Sequence, residues 1–216
     1  GCFCPPSTSV VSGIDPRNNK PYVNQLFLGH TAGAGAPRED AWMTMLHAGN
    51  GGMCFIDSVE LDEIYTPIHV QTRRLIADSE GAGRFRGAPG IEVELRPVSC
   101  RMEAGFVADG NIHNPLGARG GEAAAKSDQF RRTRGGKLER LDQCSQVWIE
   151  DGEALVSIAC GGGGYGDPKT RDPIRVLIDV QEGLVSRTRA KNVYGVVVTE
   201  RMEIDETATA GLRNSN

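Results

Sequence analysis

A β-rich α+β architecture, with glycine-rich loops and two short helices near the C-terminus, follows from three features of the 216-residue chain. Glycine supplies 28 residues and proline 11, a glycine share nearly twice the usual one, which favours turns and close backbone approaches over long helices. Short stretches alternate apolar and polar residues with period two, as strands with one buried face do. Helix signals are few and come late. With 39% hydrophobic and 24% charged residues, the chain can bury a real core. Its net charge of −4 gives no general attraction to nucleic acid or to an anionic membrane. No apolar run approaches the roughly 18 residues of a membrane span.

Residues 1–20 read as an irregular arm, because Pro5, Pro6, Ser12, Gly13, Asp15, Pro16, Asn18 and Asn19 are turn formers. Residues 21–166 make the β-rich body. Within it, Tyr22 to Leu28 is a buried strand, and the small residues of 29–37 form a loop that a ligand or neighbouring chain can approach closely. A second loop holds His47, Ala48, Gly49, Asn50, Gly51 and Gly52, and a third runs over residues 81–87. Ile91, Val93 and Leu95 alternate with Glu92 and Glu94, which predicts one buried and one wet face. Further strands are expected at residues 106–107, 147–149 and 155–160.

Residues 167–202 carry the helices and a final strand. Asp172 caps a helix that starts at Pro173, places Val176, Leu177 and Val180 on one stripe and stops at Gly183. Ser186 caps a second helix reaching Val193, and Val196, Val197 and Val198 form the last strand. The polar tail, residues 203–216, is expected to fray.

The six cysteines lack metal or disulfide spacing and read as free thiols in a reducing compartment. No basic-then-apolar leader opens the sequence, so a cytoplasmic location is the expectation. The four histidines form no metal-binding pair by spacing, and no metal ligand set is expected within the chain. His69 reads as structural and His113 as exposed in a turn. His30 and His47 sit in small-residue loops, where an imidazole reaches a cleft without steric competition and can act as acid, base or anion ligand. The run Gly161, Gly162, Gly163, Gly164, Tyr165, Gly166, Asp167, Pro168 lacks the lysine and the helix junction of a phosphate cradle. It reads as a place where the chain reverses against another backbone, a packing or subunit-interface loop. The basic cluster Arg131, Arg132, Arg134 and Lys137 reads as a solvated turn.

Two motifs are more specific. Cys160 and the four glycines after it, Tyr165, Gly166, Asp167 and Pro168, then Arg171, Asp172 and Pro173, then residues 179–186 and 194–197, resemble the signature end of the hydantoinase B/oxoprolinase family. Upstream, Asp78, Ser79 and Glu80 lead into Gly81, Ala82, Gly83, Arg84, Phe85, Arg86 and Gly87, which resembles a second family block. The resemblance runs from residue 11 to residue 198. It covers only the C-terminal part of a typical family subunit, so the chain is expected to be a fragment or one product of a split subunit.

The resemblance implies a subunit of an ATP-dependent multi-subunit enzyme acting on a small carbonyl substrate. Its implied partners are a hydantoinase A-like ATP-binding subunit and the N-terminal half of the hydantoinase B-like subunit. ATP and a divalent metal are expected there, not here. One family branch hydrolyses cyclic amides such as hydantoins, 5-oxoproline or lactams; the other carboxylates ketones with bicarbonate as co-substrate. Residues Met45, Leu46, His47, Ala48, Gly49 and Asn50 carry one histidine where the hydrolase branch has a two-histidine string, which is more similar to the ketone carboxylases. Carboxylation is therefore the first expectation, with His47 and Asn50 as catalytic donors to developing charge. Cyclic-amide hydrolysis is the alternative, and a non-catalytic assembly module a third reading. His30 matches no fixed family histidine.

Overall fold

The computed structural model describes residues 8–29, 31–41, 43–44, 56–108 and 110–214. In chain order the elements are β1 (Thr8–Asp15), β2 (Lys20–Phe27), β3 (Thr31–Ala32), β4 (Met43–Thr44), α1 (Val59–Tyr65), β5 (Ile68–Leu75), β6 (Ile91–Pro97), β7 (Met102–Val107), β8 (Asp128–Arg132), β9 (Leu138–Arg140), β10 (Cys144–Ile149), β11 (Ala154–Ile158), α2 (Pro173–Gln181), α3 (Arg187–Asn192) and α4 (Glu206–Asn214). Two antiparallel sheets dominate, one ordered β10-β7-β1-β2 and the other β5-β6-β11-β8-β9, beside the small β3-β4 pair. The α+β, β-rich expectation holds.

The two large sheets share one apolar core. Val11, Leu26, Met102 and Ile149 come from the first sheet, and Ile68, Val93, Leu95 and Leu155 from the second. A separate cluster joins the C-terminal segment to the body. There Val176 and Val180 of α2, Ala190 of α3, Tyr194 and Val196 close over Ala82. Asp172 caps α2 by accepting from the Ile174 amide, and Ser186 caps α3 by accepting from Arg189. Gly183, at φ 72°, takes the left-handed turn that ends α2.

Several expectations are corrected. Residues 8–15 are not irregular: they form β1, between β2 and β7. The strand faces inward with Ser9, Val11 and Asp15 while Val10 and Ile14 are exposed, so its apolar pattern is inverted. Glu94 is not on a wet face; it is buried under Arg132, whose Nε and Nη2 reach its two oxygens at 2.8 and 2.9 Å. Residues 196–198 form only an isolated bridge, Val198 to Ile204, because helices rather than a strand cover them.

The tail does not fray either. It folds as α4, docked by polar contacts: the Val197 amide donates to Thr209 Oγ1 at 3.0 Å, and Arg213 Nη2 donates to the Arg171 carbonyl at 2.7 Å. The basic cluster does form an exposed turn at residues 134–136, where Arg131 and Arg134 make surface bonds to Glu139 and to the Asp151 carbonyl, each at 2.7 Å.

Candidate functional site

The glycine run is extended, with no turn between Ala159 and Gly164, so the expected chain reversal does not occur there. It threads between other backbones. A Cβ on Gly161 or Gly164 would collide with the carbonyls of Ser79 and Ala82, one on Gly162 with Gly33, and one on Gly163 with Leu116. Side-chain volume is replaced by hydrogen bonds. The amides of Gly162 and Gly164 donate to Ala88 and Glu122 at 2.9 and 3.0 Å, while Gly81 and Gly35 donate to the carbonyls of Gly162 and Gly163 at 2.8 and 2.9 Å.

Beyond the glycines, Tyr165 exchanges both backbone hydrogen bonds with Phe85, at 2.8 and 3.0 Å. Asp167 caps the 3-10 turn Pro168–Thr170 by accepting from the Lys169 amide. Among these close-packed carbonyls there is no room for a phosphate, and the residues present do not fit ATP.

Two buried ion networks flank this junction. Arg171, 1% exposed, donates from Nη1 and Nη2 to Asp40 at 2.6 and 2.9 Å, and from Nη2 to Asp179 at 2.8 Å. Arg86 joins it, donating from Nε to Asp179 at 2.8 Å and from its amide to Asp40 at 2.9 Å. Burial alone would raise the Asp40 pKa, but Arg171 and Arg86 outweigh it and hold the carboxyl below its ordinary value. In the second network Glu80 Oε1 accepts from Arg189 Nε at 2.7 Å and from the Tyr194 hydroxyl at 3.0 Å. Burial raises the Glu80 pKa against the opposing pull of Arg189 and Tyr194.

These networks join residues of both motifs, Arg86 to Asp179 and Glu80 to Tyr194. Asp40, in the first of them, was not legible in the sequence, since its partner Arg171 lies 131 positions away. They tie the two motifs and Asp40 together through short ion pairs, although Glu80 Oε2 and Arg171 Nε have no partner among the described residues.

His47 and Asn50 lie outside the described residues, as does His30. The segment carrying His47 leaves from β4 and rejoins the described chain at residue 56. Its approaches are pinned: the Ala41 amide donates to Arg86 at 2.9 Å, and the Asp57 amide to Phe27 at 3.0 Å. His69 lies 3.0 Å from Glu63 on the body surface, and His113 is exposed. Among the described residues no group of three histidine, cysteine or acidic side chains is placed to hold a metal ion. No described helix is long and apolar enough to cross a membrane.

A family model for hydantoinase B/oxoprolinase matches residues 3–168. The caprolactamase subunit beta of Pseudomonas jessenii is 33% identical over 205 residues, covering 92% of this chain and 35% of the relative. The acetone carboxylase alpha subunit of Xanthobacter autotrophicus is 26% identical over 194 residues, covering 72% of this chain and 25% of the relative. The crystal structure of the ATP-dependent caprolactamase from Pseudomonas jessenii superposes with a TM-score of 0.81 at 26% identity, covering 96% of this chain and 37% of that one. The chain thus spans about a third of the length of the caprolactamase subunit. With two motifs, one junction built from them and a matching model over most of its length, the chain belongs to the hydantoinase B/oxoprolinase family.

Proposed function

We propose that this chain is part of a subunit of an ATP-dependent multi-subunit enzyme that hydrolyses a cyclic amide. The observation that carries the reading is the 33% identity with caprolactamase subunit beta, sustained over 92% of the chain. Its part in the reaction is positioning. The glycine junction and the Arg171 network hold residues 33–41 against the 81–88 loop, and His47 and Asn50 follow shortly after in the sequence. A neutral His47 imidazole and the Asn50 amide serve as fixed donors to charge developing on the substrate carbonyl. The glycine run is a packing element of this scaffold.

ATP and a divalent ion are assigned to other parts of the enzyme. Both belong to the remaining portion of the subunit and to a hydantoinase A-like partner.

Ketone carboxylation with bicarbonate is the second reading. The single histidine in residues 45–50 favours it, together with the similarity to acetone carboxylase alpha subunit.

ATP turnover by the complex isolated through this chain separates the two. Stimulation by a lactam or hydantoin without bicarbonate is the expected result. Stimulation by acetone or acetophenone that requires bicarbonate moves the assignment to carboxylation. No stimulation by either class leaves an assembly module. In the active complex His47→Ala should abolish turnover with assembly intact, and normal turnover would remove His47 from the site.

A further inference from the structure

Away from the junction, β2 and α1 enclose an open cleft of about 630 Å³. β2 is the edge of its sheet. Its outer side is engaged at Phe27, which bonds Asp57 through both its amide and its carbonyl. By the antiparallel alternation, Val23 and Gln25 present their backbone groups on that same side. The cleft is lined by polar and apolar residues in equal measure, and three of the apolar ones are bare: Val23 is 73% exposed, Leu61 52% and Tyr65 72%. Ile64 beside them is 62% exposed, which completes an i, i+3, i+4 stripe on α1.

The inner end is acidic. Asp57 and Asp62 line it with Asn24. Asp62 is 7% exposed; its Oδ1 accepts from Asn24 Nδ2 at 3.3 Å, while its buried Oδ2 has no partner among the described residues. Among the described residues no lysine, arginine or histidine pairs with either carboxylate. A buried carboxylate oxygen without a donor is costly and implies that one arrives from elsewhere. Two carboxylates and one amide do not make a metal site, and the exposed Val23, Leu61 and Tyr65 suit the methylene stem of a long basic side chain whose charged end reaches the carboxylates.

We propose that this cleft is the docking site for a segment of the subunit's remaining polypeptide, one that carries a lysine or arginine between apolar residues. The proposal rests on the reading that the chain is part of a longer subunit. The caprolactamase relative has nearly two thirds of its length outside the matched span, since this chain covers 35% of it. That polypeptide has the length to supply the segment, and the charge of the cleft selects a basic one.

The test uses the assembled enzyme with a photo-crosslinking phenylalanine analogue at position 65, followed by mass spectrometry of the product. Crosslinks within a few residues of a lysine or arginine in the larger part of the subunit are expected. Asp62→Asn, which keeps the acceptor for Asn24, should weaken assembly about tenfold without lowering the melting temperature of the chain alone. Should that variant fail to fold, Tyr65→Glu, at an exposed position, is expected to weaken assembly in the same way. Crosslinks confined to a second copy of this chain or to a segment without a basic residue overturn the proposal. So does undiminished assembly of both variants. Each of those results leaves the functional reading intact. If the chain purifies active and alone, the partial-subunit reading and the docking site fall together.

Discussion

The two halves of this molecule are held together in opposite ways. Between the large sheets, Val11, Leu26, Met102, Ile149 and Leu155 fill space with apolar side chains. At the junction, residues 161–164 exclude side chains and join four backbone segments by hydrogen bonds and contact between carbonyls and α-carbons. A core of the first kind is damaged by removing atoms, and one of the second kind by adding them. The glycines of residues 161–164 are therefore a packing device rather than a sign of loose structure.

The sharpest break is a single methyl group. Gly162→Ala places a Cβ inside the Gly33 carbonyl, with backbone rather than a yielding side chain as the obstacle. It should cost more than about 5 kcal/mol and leave the chain insoluble or unfolded by circular dichroism. Making Gly163 or Gly164 bulky is for the same reason no test of a subunit interface, since the fold itself fails first. Next comes Arg171→Ala, which strands Asp40 and Asp179; a loss of about 3–5 kcal/mol in urea unfolding is expected. Leu155→Ala, its counterpart in the apolar core, should cost about 2–5 kcal/mol. If Gly162→Ala proves milder than Leu155→Ala, the contrast between the two regions is wrong.

The smallest effect concerns Asp62. Burial, and then the charge of Asp57, raise its pKa from 3.8 to about 6, against the weaker pull of Asn24. A carboxyl whose folded pKa is raised adds stability below its unfolded value and loses it as pH rises through about 6. Asp62→Asn should therefore melt above the parent chain at pH 7.5 and lose that advantage by pH 4. Equal gains at both pH values would remove the titration of Asp62 as the cause.

Much of the fold was legible because its signals are local. The Asp172 and Pro173 start of α2, the Gly183 stop and the Ser186 cap are contained within a few residues of the helices they set. β1 escaped because its inward face carries Ser9 and Asp15 beside Val11, while Val10 and Ile14 point out. α4 escaped because its anchors, Thr209 and Arg213, dock by hydrogen bonds and leave no apolar stripe. The glycine run was visible, but not its neighbours: contact between backbones writes no code in side chains. The Asp40 to Arg171 pair spans 131 positions, beyond any local pattern. Asp62 sits on a seven-residue helix, for which Ser58 as N-cap was the available signal.

The most direct measurement of the central claim is amide hydrogen exchange at the glycine run. The amides of Gly162 and Gly164 are hydrogen-bonded at 2.9 and 3.0 Å in buried surroundings. They should exchange as slowly as those of Leu155 and Val156 in β11, through global unfolding only. Exchange within minutes, at the rate of an exposed loop tip, would mean that residues 161–164 form a mobile loop and not a packed joint between backbones.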